Sequence, residues 1–336
     1  MKFGVLQFFS WPERRIPIEK VYRRALERVQ VMDKTGYDAV WLAEHHFSSY
    51  SVSPSVHLMA GQIAATTTRL RIGTAISLAA FYHPLRLAEE IAMLDVLSGG
   101  RINWGAGRGF DAVEFKAFGV EREDSYPLFR ENVEIVLAAW SNERLTYNGK
   151  YYSFEDVEVL PKPLQKPYPP TWIASSSPEA IEWAAGQGHD ILMDPHAPHI
   201  EIGRKRAFYK TELEKHGFTD DGRDIPMARL LAIAETEDDA RSVAAAGAQW
   251  MFSSYMDPNL NNVLSDLRSF EGRAEGEEVR SAERYLKDVI IYGTPDSVAD
   301  QLLQLQEEIN LNYLLCAPLS HDTFTLLTEK VLPKFL

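Results

Sequence analysis

The chain has 336 residues, with 35 Lys and Arg against 48 Asp and Glu and a formal net charge of −13. An acidic protein lacks the counterion-release term that drives most nucleic-acid binding and is repelled by anionic headgroups, so neither a nucleic acid nor a membrane surface is expected as a partner. With 45% hydrophobic and 25% charged residues, the composition is that of an ordinary soluble globular protein and excludes disorder, collagen and coiled coil as whole-chain descriptions.

The N-terminal apolar run from Phe3 to Phe9 is followed by Trp11-Pro12-Glu13-Arg14-Arg15 without a small-residue cleavage site, and reads as a first strand. The longest uncharged stretch, His45 to Thr68, carries three histidines, five serines and a proline, which makes a poor membrane span. Cys316 is the lone cysteine, so no intramolecular disulfide forms; this fits a reducing cytoplasm, with Cys316 as a small buried residue.

A strand at Lys2 to Phe8 leads to a helix whose apolar face is Ile18, Val21, Tyr22, Ala25, Val29 and Met32. Gly36 suits the left-handed position past its end. A strand at Tyr37 to Ala43 follows, then helix Val56 to Thr67, strand Leu70 to Ile76, helix Leu85 to Leu97 and strand Arg101 to Gly105. Phe129 to Trp140 reads as helix, and Tyr147-Asn148-Gly149-Lys150-Tyr151 as the turn of a hairpin. Beyond a proline cluster come strand Thr171 to Ala174, helix Pro178 to Gln187, strand Asp190 to Met193, helix Ile200 to His216, strand Pro226 to Ala234 and helix Glu237 to Trp250. A helix opening at Thr294-Pro295 and a strand from Asn312 to Ala317 close the series. Helix follows strand each time, which calls for parallel pairing, and eight strands predict a single (β/α)₈ TIM barrel over residues 1–336. The segment 257–287 fits no barrel element; with its glycines and dense charge, it reads as a lid inserted after strand 7.

The working face of such a barrel is the C-terminal end of its strands. The second strand ends in Glu44-His45-His46-Phe47. Adjacent strand residues point to opposite faces, so His45 and His46 do not share a metal on a straight strand, and no metal is expected. His196 and His199 read as loop or first-turn residues. The third strand ends in small residues around Ala75 and Ile76, which suit either a flat ligand or tight packing. After the fourth comes Gly105-Ala106-Gly107-Arg108-Gly109, exposed backbone N–H groups beside one arginine, a weak anion signal alone. After the fifth, Ser175-Ser176-Ser177-Pro178 offers Ser177 as an N-cap, with the N–H groups of Glu179 and Ala180 aimed beyond the helix start. Together, these two turns form a candidate phosphate site.

The ordered set Trp41-Leu42-Ala43-Glu44-His45-His46-Phe47, Gly73-Thr74-Ala75, His83-Pro84-Leu85-Arg86-Leu87-Ala88-Glu89, Leu94-Asp95-Val96-Leu97-Ser98-Gly99-Gly100-Arg101 and Gly107-Arg108-Gly109 resembles the bacterial luciferase-like family of flavin-dependent monooxygenases. The likeness continues through Phe118-Gly119, Glu182-Trp183-Ala184-Ala185, Gln249-Trp250, Gly293-Thr294-Pro295 and Cys316. It implies a barrel that binds reduced FMN, reacts it with O₂ at C4a and uses the flavin hydroperoxide on a small organic substrate, aldehyde or ketone-like. By resemblance, His45 is the acid/base with Glu44 and His46 beside it. Ala75-Ile76 is a non-proline cis peptide against the ring, Arg108 binds phosphate with Ser176 and Ser177, and Trp250 belongs to the cofactor site.

Two departures stand out. Gly107 replaces a reactive cysteine of the light-emitting luciferase subunit, and Tyr126 replaces its second phosphate arginine, so phosphate binding is weaker or recruits Arg130; light emission is not expected. No NAD(P)H fingerprint is present, so reduced FMN is expected from a separate flavin reductase, and a homodimer is expected. Two alternatives stay open: hydride transfer with a deazaflavin on the same barrel, and a non-catalytic flavin-binding protein. Phe8, Phe9, Trp11, Phe47, Phe110 and Trp250 suggest an aromatic mouth, although core packing explains any one of them.

Overall fold

A computed structural model of the chain describes residues 1–254 and 282–336. In chain order the elements are β1 (Lys2–Gln7), α1 (Ile18–Lys34), β2 (Ala39–Leu42), α2 (Val56–Thr66), β3 (Arg71–Thr74), β4 (Ser77–Leu78), α3 (Pro84–Leu97), β5 (Ile102–Gly107), α4 (Ala112–Phe118), α5 (Arg122–Ser141), β6 (Leu145–Asn148), β7 (Ser153–Val157), β8 (Thr171–Ala174), α6 (Pro178–Gly186), β9 (Asp190–Leu192), α7 (His199–Lys215), β10 (Pro226–Ile233), α8 (Glu237–Ser254), α9 (Ala282–Asp288), β11 (Ile291–Gly293), α10 (Pro295–Ile309), β12 (Tyr313–Pro318) and α11 (His321–Leu326). Of the stretch read as a lid, 257–281 lies outside the described residues, and 282–287 belongs to α9.

The chain divides into two compact units. One comprises 8–33 and 40–174. Its sheet runs β2-β3-β5-β8, with β4 also on β5. β3, β4 and β8 all pair with β5 in parallel, in the registers Ile72↔Ile102, Ser77↔Ala106 and Trp104↔Thr171. Parallel pairing follows from the helix placed after each strand, and these strands are buried almost throughout, as a sheet covered on both faces requires. Trp41 meets Trp172 edge-on at 5.2 Å in this core. The anticipated hairpin is β6-β7, antiparallel, and its turn is held by Glu131, whose carboxylate accepts the N–H groups of Lys150, Tyr151 and Tyr152.

Two features of this unit differ from expectation. The helix expected from Phe129 begins at Arg122 and runs through Pro127, because the buried face of Phe129, Val133, Val136 and Trp140 outweighs one lost backbone donor. Ala112–Phe118, not anticipated as an element, is helical and capped by Asp111, whose side chain accepts the Val113 N–H.

The other unit comprises 1–7, 34–39 and 175–336. Its parallel strands run β11-β10-β12-β1, and Met193, just past β9, bridges Met227 of β10. On α10, Val298, Leu302 and Leu305 are buried, whereas Ile309 at its end is half-buried. Cys316 is buried in β12. Gly36 is not left-handed. It is small because the Leu336 side chain occupies the space beside it, where a Cβ would stand 2.4 Å from Leu336 Cδ1.

Candidate active site

In the unit that contains β2, Glu44, His45 and His46 follow the strand end. Glu44 is 2% exposed and accepts three hydrogen bonds: from the Leu78 N–H at 3.1 Å, the Tyr82 hydroxyl at 3.0 Å and His46 Nε2 at 3.1 Å. Burial, followed by the charge of Glu44, pushes the Tyr82 hydroxyl well above its ordinary range, so it stays a donor. The ring of His46 is therefore turned to Glu44, while its backbone N–H donates to Glu114 Oε1 at 2.8 Å. The same Glu114 oxygen stands 3.7 Å from His45 Nδ1.

Glu114, on α4, is 1% exposed, and its Oε2 has no hydrogen-bond partner among the described residues. An ionised carboxylate so placed is costly unless it serves a nearby positive charge. Asp111 caps the same helix; burial, with the Glu114 charge acting in the same direction, raises its carboxyl above the ordinary range despite the Val113 N–H. Aromatic rings enclose His45: Tyr50 at 4.9 Å, Phe110 at 6.1 Å and Phe8 at 6.5 Å. Phe118 stands edge-on to His46 at 4.8 Å, and Phe47, at φ 58°, is 65% exposed. Phe9, suggested for the mouth, is a core residue.

The strand ends beside this cluster carry the residues assigned to the cofactor. Ala75-Ile76 is a cis peptide, and the Ala75 N–H donates to Leu42 O at 2.8 Å. Gly107 leaves room for Ile76: a Cβ at 107 would stand 1.8 Å from Ile76 Cδ1. Arg108 donates from Nη1 to Ser125 Oγ at 3.2 Å and lies over the Tyr126 ring at 4.1 Å, while Arg130 reaches the same ring at 5.8 Å. Two guanidinium groups thus stand by Tyr126, at the position where the second phosphate arginine was expected.

Ser176, Ser177 and Trp250 belong to the other unit. Ser177 caps α6 as expected, with Pro178 at the first helical position. Its Oγ accepts the Ala180 N–H at 3.3 Å, so that N–H, expected to face a ligand, is already used. Trp250 lies near the end of α8 and its buried indole N–H has no partner among the described residues. In this unit His196 Nδ1 meets the Tyr285 hydroxyl at 2.7 Å, and His199 opens α7 and accepts from Arg229 Nε at 3.0 Å. Burial, then the Arg229 charge, depresses His199 to about 3, so it is neutral. Burial opposes ionisation of Asp194, but Lys205, His196 and Arg229 prevail and hold it at about 2.

Sequence reasoning missed Glu114, Tyr82, Asp194 and Arg229. For Glu114 a local signal existed: Asp111-Ala112-Val113-Glu114 has the spacing of a capping box, directly after the glycine-arginine turn. Among the described residues, no group of three or more His, Cys, Asp or Glu side chains could hold a metal ion, and no helix is long and apolar enough to cross a membrane.

Protein y4wF of Sinorhizobium fredii is 32% identical over 98% of this chain and 95% of its own. The oxygenase component of the flavin-dependent trigonelline monooxygenase of Acinetobacter baylyi is 27% identical over 84% of this chain and 80% of its own. Monooxygenase RslO1 of Streptomyces bottropensis superposes with a TM-score of 0.81 at 27% identity, covering 100% of both chains. At 18% and 17% identity, two further structures share the fold: the oxygenating constituent of 3,6-diketocamphane monooxygenase of Pseudomonas putida, in complex with FMN (TM-score 0.82, 100% and 99% covered), and an F420-dependent secondary alcohol dehydrogenase (TM-score 0.78, 98% and 97%). The family model described as luciferase-like monooxygenase matches residues 1–309. On that match, and on the 32% identity to y4wF over 98% of its length, the chain belongs to the luciferase-like monooxygenase family.

Proposed function

We propose that this chain is the oxygenase of a two-component system, acting on a small organic substrate, aldehyde or ketone-like, with FMN in its reduced form and O₂. The observation that carries this reading is the buried Glu114 carboxylate 3.7 Å from His45 Nδ1, in a shell of aromatic rings. The residues present fit FMN: two guanidinium groups flank Tyr126 beside the Gly107 turn, a donor set suited to a dianionic phosphate. Ala75, Ile76 and Gly107 would line the ring, and Arg108 with Tyr126 would hold the phosphate. Ser176, Ser177 and Trp250 complete the assignment on the strength of the family likeness. When bound, reduced FMN supplies two electrons to O₂, so that one oxygen atom enters the substrate and the other leaves as water.

The protein's own contribution is protonic and steric. His45 takes a proton from, or returns it to, the substrate, with the Glu114 carboxylate 3.7 Å from its Nδ1. Glu44 and His46 are positioning residues: their mutual hydrogen bond, with those from Leu78 and Tyr82, orients the backbone on either side of His45. Phe8, Tyr50 and Phe110 exclude water and favour an apolar substrate.

The reading further comprises one closed (β/α)₈ barrel over 1–336, a cytoplasmic homodimer, a separate flavin reductase and a closing role for 257–287, the last from sequence alone. The trigonelline enzyme's description as an oxygenase component supports the reductase. Exposed Leu58, Met93, Val96 and Leu97 on α2 and α3 offer apolar surface to a second copy.

The test is His45→Ala in the presence of a reductase, FMN and candidate aldehydes and ketones. Coupled, O₂-dependent product should fall by about 10²-fold, with FMN binding intact; unchanged turnover refutes the role of His45. Preferential binding of a deazaflavin over FMN would point to hydride transfer, and tight binding of oxidised FMN without coupled oxidation to a flavin carrier.

A further inference from the structure

The unit containing β2 also holds a buried constellation that the function above does not use. His57 on α2 is 6% exposed; its Nδ1 lies 2.8 Å from Glu90 Oε2 and its Nε2 2.9 Å from Ser77 Oγ. Glu90 on α3 also accepts from Arg86 Nε at 2.6 Å. The order carboxylate, imidazole, hydroxyl is that of an activated serine nucleophile. Ser77 is 0% exposed, however, so its hydroxyl meets no external ester.

Proton counting fixes what the constellation does. The His57 hydrogen bond, ahead of the opposing effect of burial, holds the Glu90 carboxyl at about 2, so Glu90 is an acceptor only and Nδ1 carries the hydrogen. In the neutral imidazole Nε2 then accepts, and Ser77 donates to it. Both ring nitrogens of His57 are thus engaged, one by Glu90 and one by Ser77, which makes the chain of three stiff.

What it holds is the two-residue strand β4. Ser77 pairs with Ala106 and Leu78 with Gly107, while the Leu78 N–H donates to Glu44. β4 is thus tied on one side to His57, anchored through two helices, and on the other to the carboxylate that orients His46. Ile76, whose side chain lies against Gly107, is the residue directly before it.

We propose that Glu90, His57 and Ser77 are positioning residues that set β4 and, through it, the Ile76 and Gly107 wall of the flavin site. This rests on the reading of that wall as the FMN site. The roles are set by hydrogen-bond direction, so the three act as one unit and not as three independent packing contacts.

The test is FMN titration of the full chain together with the visible circular dichroism of bound FMN, for wild type, His57→Leu, Ser77→Ala, the double variant and Glu90→Gln. The single changes at 57 and 77 should each weaken FMN by about tenfold and alter the dichroism, with the double variant no worse than His57→Leu. Glu90→Gln keeps its volume and fold and should move affinity in the same direction by a smaller factor, which covers a His57 variant that fails to fold. Urea midpoints of the flavin-free proteins should show the same His57–Ser77 coupling. If wild type binds FMN and folded His57→Leu or Glu90→Gln matches it in affinity and dichroism, the positioning role is overturned while the flavin site stands. Should wild type bind FMN in neither its oxidised nor, under anaerobic titration, its reduced form, the flavin reading falls and this role with it, even with the coupling intact in the flavin-free protein.

Discussion

His45 Nδ1 stands 3.7 Å from Oε1 of Glu114, a carboxylate that is 1% exposed. The pair joins the end of β2 to a helix that begins after the glycine-arginine turn. A charge placed this close to a ring in a buried setting is screened less than it would be in water.

Glu114→Gln is therefore informative, because it preserves the volume and an acceptor for the His46 N–H while removing the charge. Coupled product formation should fall by about 10- to 100-fold, with FMN affinity within a few-fold of wild type. Single-turnover measurement of product against H₂O₂ checks this; an unchanged product yield would make Glu114 a helix-packing residue.

Arg108 donates to Ser125 Oγ and lies over the Tyr126 ring. Arg108→Ala should cost FMN about 1.5–3 kcal/mol of binding free energy, and riboflavin, which lacks the phosphate, almost nothing. Equal losses for the two flavins, read by fluorescence quenching, would remove Arg108 from the phosphate.

The space beside Gly107 is filled by Ile76. Gly107→Ala should destabilise the protein by about 1–3 kcal/mol through overpacking, measured by urea unfolding. Combining it with Ile76→Val, which removes the Cδ1 in question, should recover part of the loss; no recovery would show that the new methyl meets something else.

Acid sensitivity follows from two half-buried histidines. His189 is depressed to about 4 and His199 to about 3 from an ordinary 6.5, in each case by burial first and then by a nearby arginine, Arg223 and Arg229 respectively. The folded protein keeps both rings neutral, whereas the unfolded chain takes up protons as the pH falls below 6.5. Their contribution is fully present above that pH and is lost progressively toward the folded values. Urea midpoints should therefore drop between pH 6.5 and pH 4, and His199→Gln, which keeps an acceptor for Arg229 but cannot titrate, should flatten the slope. An identical slope in the variant would place the acid sensitivity elsewhere.

The elements themselves were legible in the sequence because their signals are local. Period and punctuation placed α1, α3, α6, β8 and α10 to within a residue or two, and Ser177-Pro178 announced a helix start from the chemistry of two adjacent side chains. Residues already named by family likeness, His45, Ala75, Ile76 and Arg108, fall at or just beyond strand ends for the same reason. What only tertiary structure decided is which distant groups meet. His45 and Glu114, His57 with Ser77 and Glu90, and Arg229 with His199 are separated by tens of residues and joined by no shared period. Helical and strand repeats encode which face of an element is buried; they carry no information about the partner across the core, which depends on how the parallel strands are ordered and in what register. The burial of Glu114, and with it the electrostatic environment of His45, exists only once α4 has packed against the end of β2.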